Sequence, residues 1–335
     1  MFRRLSIPTP FQIGPVNAYI AGRTLVDPGP GSEEAWAALL DGLEARELGP
    51  TDVEQVLVTH PHPDHFGLAS RLREAGARVV ASPMTADIIA DFEARLDYEQ
   101  SYFVEFFERH GMARSTAETV TDLPESFLRV APGVETDVVL EDGDAVEVAG
   151  TDVTAEAVAG HAPGETIFTY ETDDGEDWAV VGDQVLPDIT PNPLLQPPVE
   201  EGGERTTGSR SSSDRWSDGG ERPRVLPAFN RSLADLRERE FDRFLPGHRE
   251  VIENPSERID EVLAAHEERT ENVKEIVAEG PTTAVEVMND LFDDLPATEY
   301  FSGMSEAVGH LDVLDERGEV EPREQGGVVV WEVTA

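Results

Sequence analysis

The sequence predicts a mixed α/β protein over residues 1–255, followed by a small, mainly helical domain at 256–335. Three observations carry this. Short apolar runs such as Val56-Leu57-Val58 and Arg78-Val79-Val80-Ala81 alternate with stretches whose apolar residues recur at helical spacing. His and Asp residues stand directly after several of those runs, where strands end. The last segment reads as three helices and a hairpin.

The elements follow in order. Ala18-Tyr19-Ile20 and Thr24-Leu25-Val26 read as a strand pair, followed by the turn Asp27-Pro28-Gly29-Pro30-Gly31. Ser32 can cap a helix carrying Trp36, Leu39, Leu40 and Leu43. Strand 56–58 leads into a loop at 60–65, a helix from Leu68 to Glu74 and strand 78–81. Residues 86–110 read as helix, with Phe92, Tyr98, Tyr102, Phe103, Phe106 and Phe107 along it. Strands then return at 138–140, 145–148 and 153–158, and 167–170 and 178–181 form a hairpin around Asp173-Asp174-Gly175. Residues 200–224, rich in Gly, Ser, Arg and Glu, cannot add much core and read as a mobile loop. Beyond them, 256–279, a segment capped by Thr282-Thr283, and 300–317 read as helices, with Val328-Val329-Val330-Trp331 as the last strand. That order is the order of a winged helix.

Composition narrows the function classes. With no Cys, disulfides, thiolate metal sites and a Cys nucleophile are excluded. No run of about 18 apolar residues occurs, so no membrane span is expected. The first residues contain no apolar signal-peptide core, which places the protein in the cytoplasm. Asp and Glu total 69 against 26 Lys and Arg, a formal charge of -43, and Lys274 is the only lysine. At low salt such a surface repels nucleic acid and anionic membranes. It also suits a cell interior at molar salt, where the Debye length shrinks to about 3 Å. On that halophilic reading the acidity says little about substrate.

The segment Thr59-His60-Pro61-His62-Pro63-Asp64-His65-Phe66-Gly67 carries the chemistry. It puts four metal-ligand types into one tight loop at a strand end. Its prolines disfavour a helix through it. Imidazole and carboxylate suit zinc, with iron or manganese also possible. Further candidates end other strands: His161 in Gly160-His161-Ala162-Pro163-Gly164, Asp183 after Gly182, and His248 after Pro246-Gly247. Glycine beside each permits close backbone approach. His110, His266 and His310 fall on predicted helices without partners and read as surface or core residues.

The pattern H-x-H-x-D-H followed by separated His, Asp and His resembles the metallo-β-lactamase superfamily over about residues 14–250, as do Val16-Asn17-Ala18-Tyr19-Ile20 and Leu25-Val26-Asp27-Pro28-Gly29. The resemblance implies an αββα sandwich with metals at one edge of two facing sheets. It assigns His60, His62 and His161 to one metal, Asp64, His65 and His248 to the other, with Asp183 bridging, and gives Asp27 a supporting role beneath the metal loop. Two zinc ions are the implied cofactors. Gly182-Asp183-Gln184-Val185-Leu186, Ile189-Thr190-Pro191-Asn192-Pro193, His266-Glu267-Glu268-Arg269 and Gly280-Pro281-Thr282-Thr283 resemble the lactamase-β-2-like subgroup, whose members carry a C-terminal winged-helix-like domain.

The implied activity is hydrolysis by a metal-bound hydroxide, with Asp64 and His248 as the expected catalytic residues. A small-molecule ester, thioester or lactone is the first substrate class. RNA or another phosphodiester is the alternative, because Arg205, Arg210, Arg215, Arg222 and Arg224 could supply a basic groove. A mononuclear iron persulfide dioxygenase shares the first motif but not the tail. A DNA-binding regulator is disfavoured by Glu299, Glu306, Asp312, Asp315 and Glu316 on or beside helix 300–317, and no DNA partner is expected.

Overall fold

The computed structural model describes residues 1–122, 125–191, 193–199 and 220–334. Residues 200–219, with Arg205, Arg210 and Arg215 and most of the expected mobile loop, lie outside the described residues.

Two sheets dominate the first compact unit, which takes in 1–92, 124–191 and 232–261. Strands β1 (Arg3–Ile7), β2 (Val16–Ala21), β3 (Thr24–Val26), β4 (Gln55–Leu57), β5 (Arg78–Ala81) and β6 (Val138–Val139) lie side by side in sequence order. The β1–β2 and β2–β3 pairs are antiparallel, and β3 to β6 run parallel. Strands β7 (Ala145–Val148), β8 (Thr151–Ala157), β9 (Thr166–Glu171), β10 (Asp177–Gly182) and β11 (Arg243–Pro246) form the second sheet in the order β11-β10-β9-β8-β7.

The helices are α1 (Glu33–Glu44), α2 (Pro63–Phe66), α3 (Ala69–Glu74), α4 (Pro83–Ala90), α5 (Phe92–Arg109), α6 (Arg114–Thr121), α7 (Glu125–Val130), α8 (Val225–Glu238), α9 (Pro255–Ala278), α10 (Ala284–Leu291) and α11 (Tyr300–Glu316). Ser32 caps α1 as expected, its hydroxyl accepting from the Ala35 amide at 3.1 Å. The predicted helix 86–110 is two helices, α4 and α5, broken at Asp91. Strand β1 and helices α6, α7 and α8 are additional to the predicted elements.

The sheets face each other through one apolar layer. Tyr19, Val26, Leu57 and Val80 from the first meet Val153, Phe168, Val180 and Leu245 from the second. Each side chain of that size, fully buried, contributes about 1.5–3 kcal/mol. With helices on the outer faces, this is the αββα sandwich. Parallel β3, β4 and β5 are buried on both faces, so they read as continuous apolar runs without alternation.

The second unit comprises 93–123, 192–231 and 262–335. Its core joins Phe103 and Phe107 of α5 to Val273 and Val277 of α9, Val287 and Met288 of α10, Leu311 of α11 and Trp331. Strands β12 (Val320–Gln325) and β13 (Val328–Val333) pair as an antiparallel hairpin. The predicted order of three helices and a hairpin is therefore present, and the aromatic stripe of α5 packs in the same core. Its histidines have partners that the sequence did not reveal. His266 Nδ1 lies 2.7 Å from Asn230 Oδ1, and His310 lies 2.8 Å from Thr270 Oγ1 and 3.3 Å from Glu306. His110 Nδ1 donates to the Phe106 carbonyl at 2.8 Å. No helix among the described residues is long and apolar enough to cross a membrane.

Candidate metal centre

Each arm of the site begins where a strand stops. Thr59 and His60 follow β4, and His62 takes the N-cap of α2. The prolines at 61 and 63 do not prevent a helix here. Pro63 occupies the first helical position, where no amide hydrogen is needed, and one turn sets Asp64 and His65 on it. From the second sheet, His161 follows β8, Asp183 follows β10 and His248 follows β11. All are buried except half-buried His62.

The structure brings all seven residues together. His60 Nε2 lies 3.0 Å from His62 Nδ1, which lies 3.1 Å from His161 Nε2. Asp64, His65 and His248 form a second group that could hold an ion. Its His248 Nε2 is 3.3 Å from Asp64 Oδ2. Asp183 faces both groups: Oδ1 is 3.6 Å from His65 Nε2, and Oδ2 is 3.5 Å from His248 Nε2 and 3.7 Å from His161 Nε2.

Surrounding hydrogen bonds set the ring protons. Asp27 accepts from the Thr59 amide at 2.9 Å, the Thr59 hydroxyl at 2.7 Å and His65 Nδ1 at 2.8 Å. Having given its hydrogen to Asp27, Thr59 Oγ1 accepts from His60 Nδ1 at 2.9 Å. His248 Nδ1 donates to the Pro15 carbonyl at 2.9 Å. In all three rings the outer nitrogen carries the proton and Nε2 turns inward.

These residues fit a divalent cation. No arrangement of hydrogens satisfies both contacts among neutral His60, His62 and His161, because the middle nitrogen can either donate once or accept. A tetrahedral zinc, with Zn–N about 2.0–2.1 Å, holds its nitrogens ~3.3 Å apart. His65 Nε2 and Asp183 Oδ1 are buried without hydrogen-bond partners, the position expected of ligand atoms.

Electrostatics agree. Burial, reinforced by neighbouring imidazoles, holds His60 well below its ordinary range and brings His161 down to about 3. Burial disfavours charge on His65 too, but Asp183, Asp27 and Asp64 outweigh it and raise its pKa. Burial opposes ionisation of Asp183, yet His65, His248 and His161 keep it ionised. The carboxylates thus demand positive charge, which protons supply until a cation replaces them.

Over residues 12–252 the sequence matches the family model described as "Metallo-beta-lactamase superfamily". The chain belongs to the metallo-β-lactamase superfamily. It is 27% identical over 330 residues to the "Probable metallo-hydrolase YqjP" of Bacillus subtilis (strain 168), covering 98% of this chain and 96% of that one. The metallo-beta-lactamase family protein TTHA1429 of Thermus thermophilus superposes with a TM-score of 0.76 at 27% identity, covering 99% of this chain and 98% of that one. A beta-lactamase domain protein from Burkholderia ambifaria has the same fold, with a TM-score of 0.76, 24% identity and coverage of 99% and 91%. The chain is accordingly a metal-dependent hydrolase of this superfamily.

Several residues of this metallo-β-lactamase site have roles that the sequence does not disclose. Asn17 Nδ2 donates to the Pro246 and Arg249 carbonyls at 2.9 and 2.8 Å, and Tyr19 donates to Pro246 at 2.7 Å. Together they latch the His248 loop onto β2 of the opposite sheet. Gly247 has no alternative, since a Cβ there would stand 2.2 Å from Asp183 Oδ1. Ser82 and Thr85 both donate to the Gly164 carbonyl, at 2.6 and 3.0 Å, and so hold the loop that carries His161. The segment Val16-Asn17-Ala18-Tyr19-Ile20 marks the family resemblance in the sequence, but not the contacts that Asn17 and Tyr19 make with the His248 loop.

Glu165 is the other omission. It is 1% exposed and neither carboxyl oxygen has a hydrogen-bond partner. Burial, then the charge of Asp183, pushes its pKa well above the usual range. Unfolded glutamate ionises near pH ~4.3. Above that pH the unfolded chain has lost a proton that the folded chain keeps, so stability falls as pH rises. Glu165→Gln, which mimics the neutral acid, is expected to remove this slope in chelated protein. Calorimetry at constant salt should show the variant gaining Tm over the native chain between pH 5 and pH 8. Parallel pH profiles would mean that Glu165 is ionised in the fold.

Proposed function

We propose that the protein is a dinuclear zinc hydrolase of small esters, thioesters or lactones, working in a salt-rich cytoplasm. The observation that carries this reading is Asp183, whose two oxygens face the two groups of histidines. In this reading His60, His62 and His161 hold one ion, Asp64, His65 and His248 hold the other, and Asp183 joins them. Bound divalent ions supply Lewis acidity, which activates water near neutral pH and stabilises developing negative charge. The chain's own residues do the rest. Asp64 accepts a hydrogen bond from the attacking water and aims it, and the Pro15 carbonyl fixes the His248 ring beside it. Asp27 and Thr59 keep His65 and His60 in the ligating tautomer.

A small substrate is preferred over RNA for a specific reason. Arg222 donates to both oxygens of Asp312, at 2.7 and 2.6 Å, and Arg224 contacts Asp315, so acids of α11 already occupy both guanidinium groups. The excess of acidic residues supports the salt-rich setting.

Metal content per chain, measured by plasma mass spectrometry on protein purified without chelator, tests the reading. About two zinc ions are expected in the native protein, and about one in Asp64→Ala and His248→Ala. Ester, thioester and lactone substrates should be turned over, with activity lost on chelation, and single-stranded RNA should be left intact. One iron per chain, unchanged in His248→Ala, would sink the proposal.

A further inference from the structure

At the other end of the first sheet lies a concavity of about 800 Å³ that the hydrolase reading does not use. Arg3, Arg23 and Arg46 line it, over a floor that includes Ile20, Ala21 and Leu48. Arg3 opens β1, Arg23 stands in the β2–β3 turn, and Arg46 follows α1. Asp27 and the metal loop follow the opposite ends of β3 and β4, so the concavity is about 13 Å from them along the strand, at ~3.3 Å per residue. A small molecule held there does not reach the metal centre.

The charge pattern sets this place apart. In a chain of formal charge -43, arginines are expected to sit on carboxylates. In the same unit Arg4, Arg71, Arg73, Arg237, Arg239 and Arg249 all do so. Arg3, Arg46 and Arg78 of this unit have no carboxylate partner among the described residues; Arg78 instead donates to Gln55 Oε1 at 3.3 Å, while Arg3 and Arg46 both line this one concavity. Arg46 spends one N–H on the Gly42 carbonyl at 2.7 Å, which holds the side chain along the end of α1 and leaves its other donors free. Arg23 meets only Glu54, at 3.1 Å, with both side chains more than half exposed. An exposed pair of that kind is worth at most about 1 kcal/mol and yields to a better anion.

We infer that this concavity is an anion site for an organic phosphate of mononucleotide size. Arginine forks match phosphate oxygens two at a time. The apolar floor suits the flat face of a base or a short acyl group. The site is remote from the chemistry, so its ligand acts on binding or regulation, not as substrate.

The test is calorimetric titration of the metal-loaded protein with ADP, adenosine and inorganic phosphate. ADP is expected to bind at least tenfold more tightly than either adenosine or phosphate. In Arg3→Gln/Arg46→Gln its affinity should fall at least tenfold, with metal content and ester turnover unchanged. A second readout uses the native chain alone: ADP should protect Arg3 and Arg46 from phenylglyoxal, read by peptide mass spectrometry. Equal ADP affinity in the double variant, or no protection of these two arginines, overturns the proposal. Phosphate binding as tightly as ADP leaves no role for the apolar floor and rejects the mononucleotide-sized ligand.

Discussion

Asp183→Ala is expected to abolish hydrolysis, lowering kcat/KM by at least about 10³-fold, or ~4 kcal/mol of transition-state stabilisation. The physical reason is the position of this carboxylate. Its oxygens lie 3.5–3.7 Å from His65, His161 and His248, and it is 6% exposed. Asp27 also lies near His60 and His65, but it meets His65 through the outer nitrogen, whereas Asp183 meets the inward ones. Without Asp183 the buried imidazoles lose the charge that opposes their mutual repulsion, and removing one partner of a buried pair costs about 3–5 kcal/mol. Alanine therefore threatens the fold of the metal-free protein as well as the chemistry. Asp183→Asn separates the two effects: it keeps the volume and the packing against Gly247 but removes the charge. The asparagine variant is expected to fold, to hold less metal and to show a comparable loss of activity. Activity within tenfold of native in Asp183→Asn would remove Asp183 from the metal centre.

The second large effect is expected at Asp27, which touches none of the inward-facing nitrogens. Asp27→Ala removes the acceptor for the Thr59 amide, the Thr59 hydroxyl and His65 Nδ1 at once. Leaving a buried donor unpaired costs about 1–3 kcal/mol. Asp27 also has φ +49°, a left-handed conformation that suits Asp and Asn better than alanine. The expected destabilisation is about 3–5 kcal/mol, a fall of roughly 6–20 °C in Tm at 2–4 °C per kcal/mol. Metal affinity should drop about 10–100-fold, as is typical when a partner of a ligating histidine is lost. Asp27→Asn tolerates the backbone and retains one acceptor, so it should fall between native and alanine in both Tm and metal affinity. Calorimetry with and without chelator, and competition against a zinc indicator, measure the two quantities. If Asp27→Ala lowered Tm yet bound zinc with native affinity, its role would be confined to holding β3 against β4.

Much of this molecule was legible in its sequence. Parallel strands buried on both faces are mostly apolar, so Leu25-Val26, Val56-Leu57 and Val79-Val80 could be read directly. Ligand chemistry is equally legible, because few residue types bind metal and strand ends are where they can converge; all seven positions from His60 to His248 meet in one site. The short turn 63–66 was misjudged because proline was weighed as a helix breaker without asking which helical position it takes. Partners of His266 and His310 were missed because Asn230, Thr270 and Glu306 come from other turns and other helices.

The sequence by itself determined where most strands lie and which His and Asp residues follow them, since these follow from local hydrophobicity and residue chemistry at short range, while the sandwich and the grouping of the ligands came from the family resemblance. Only the tertiary structure decided which ring nitrogens face inward, that Asn17 and Tyr19 of one sheet hold the His248 loop of the other, that Glu165 lies buried and unpaired beside the site, and that Arg3, Arg23 and Arg46 share one concavity. Those facts depend on contacts between residues far apart in the chain, often about 230 positions apart, as for Asn17 and Pro246. No pattern of neighbours along a sequence encodes a distance that exists only after the two sheets have packed.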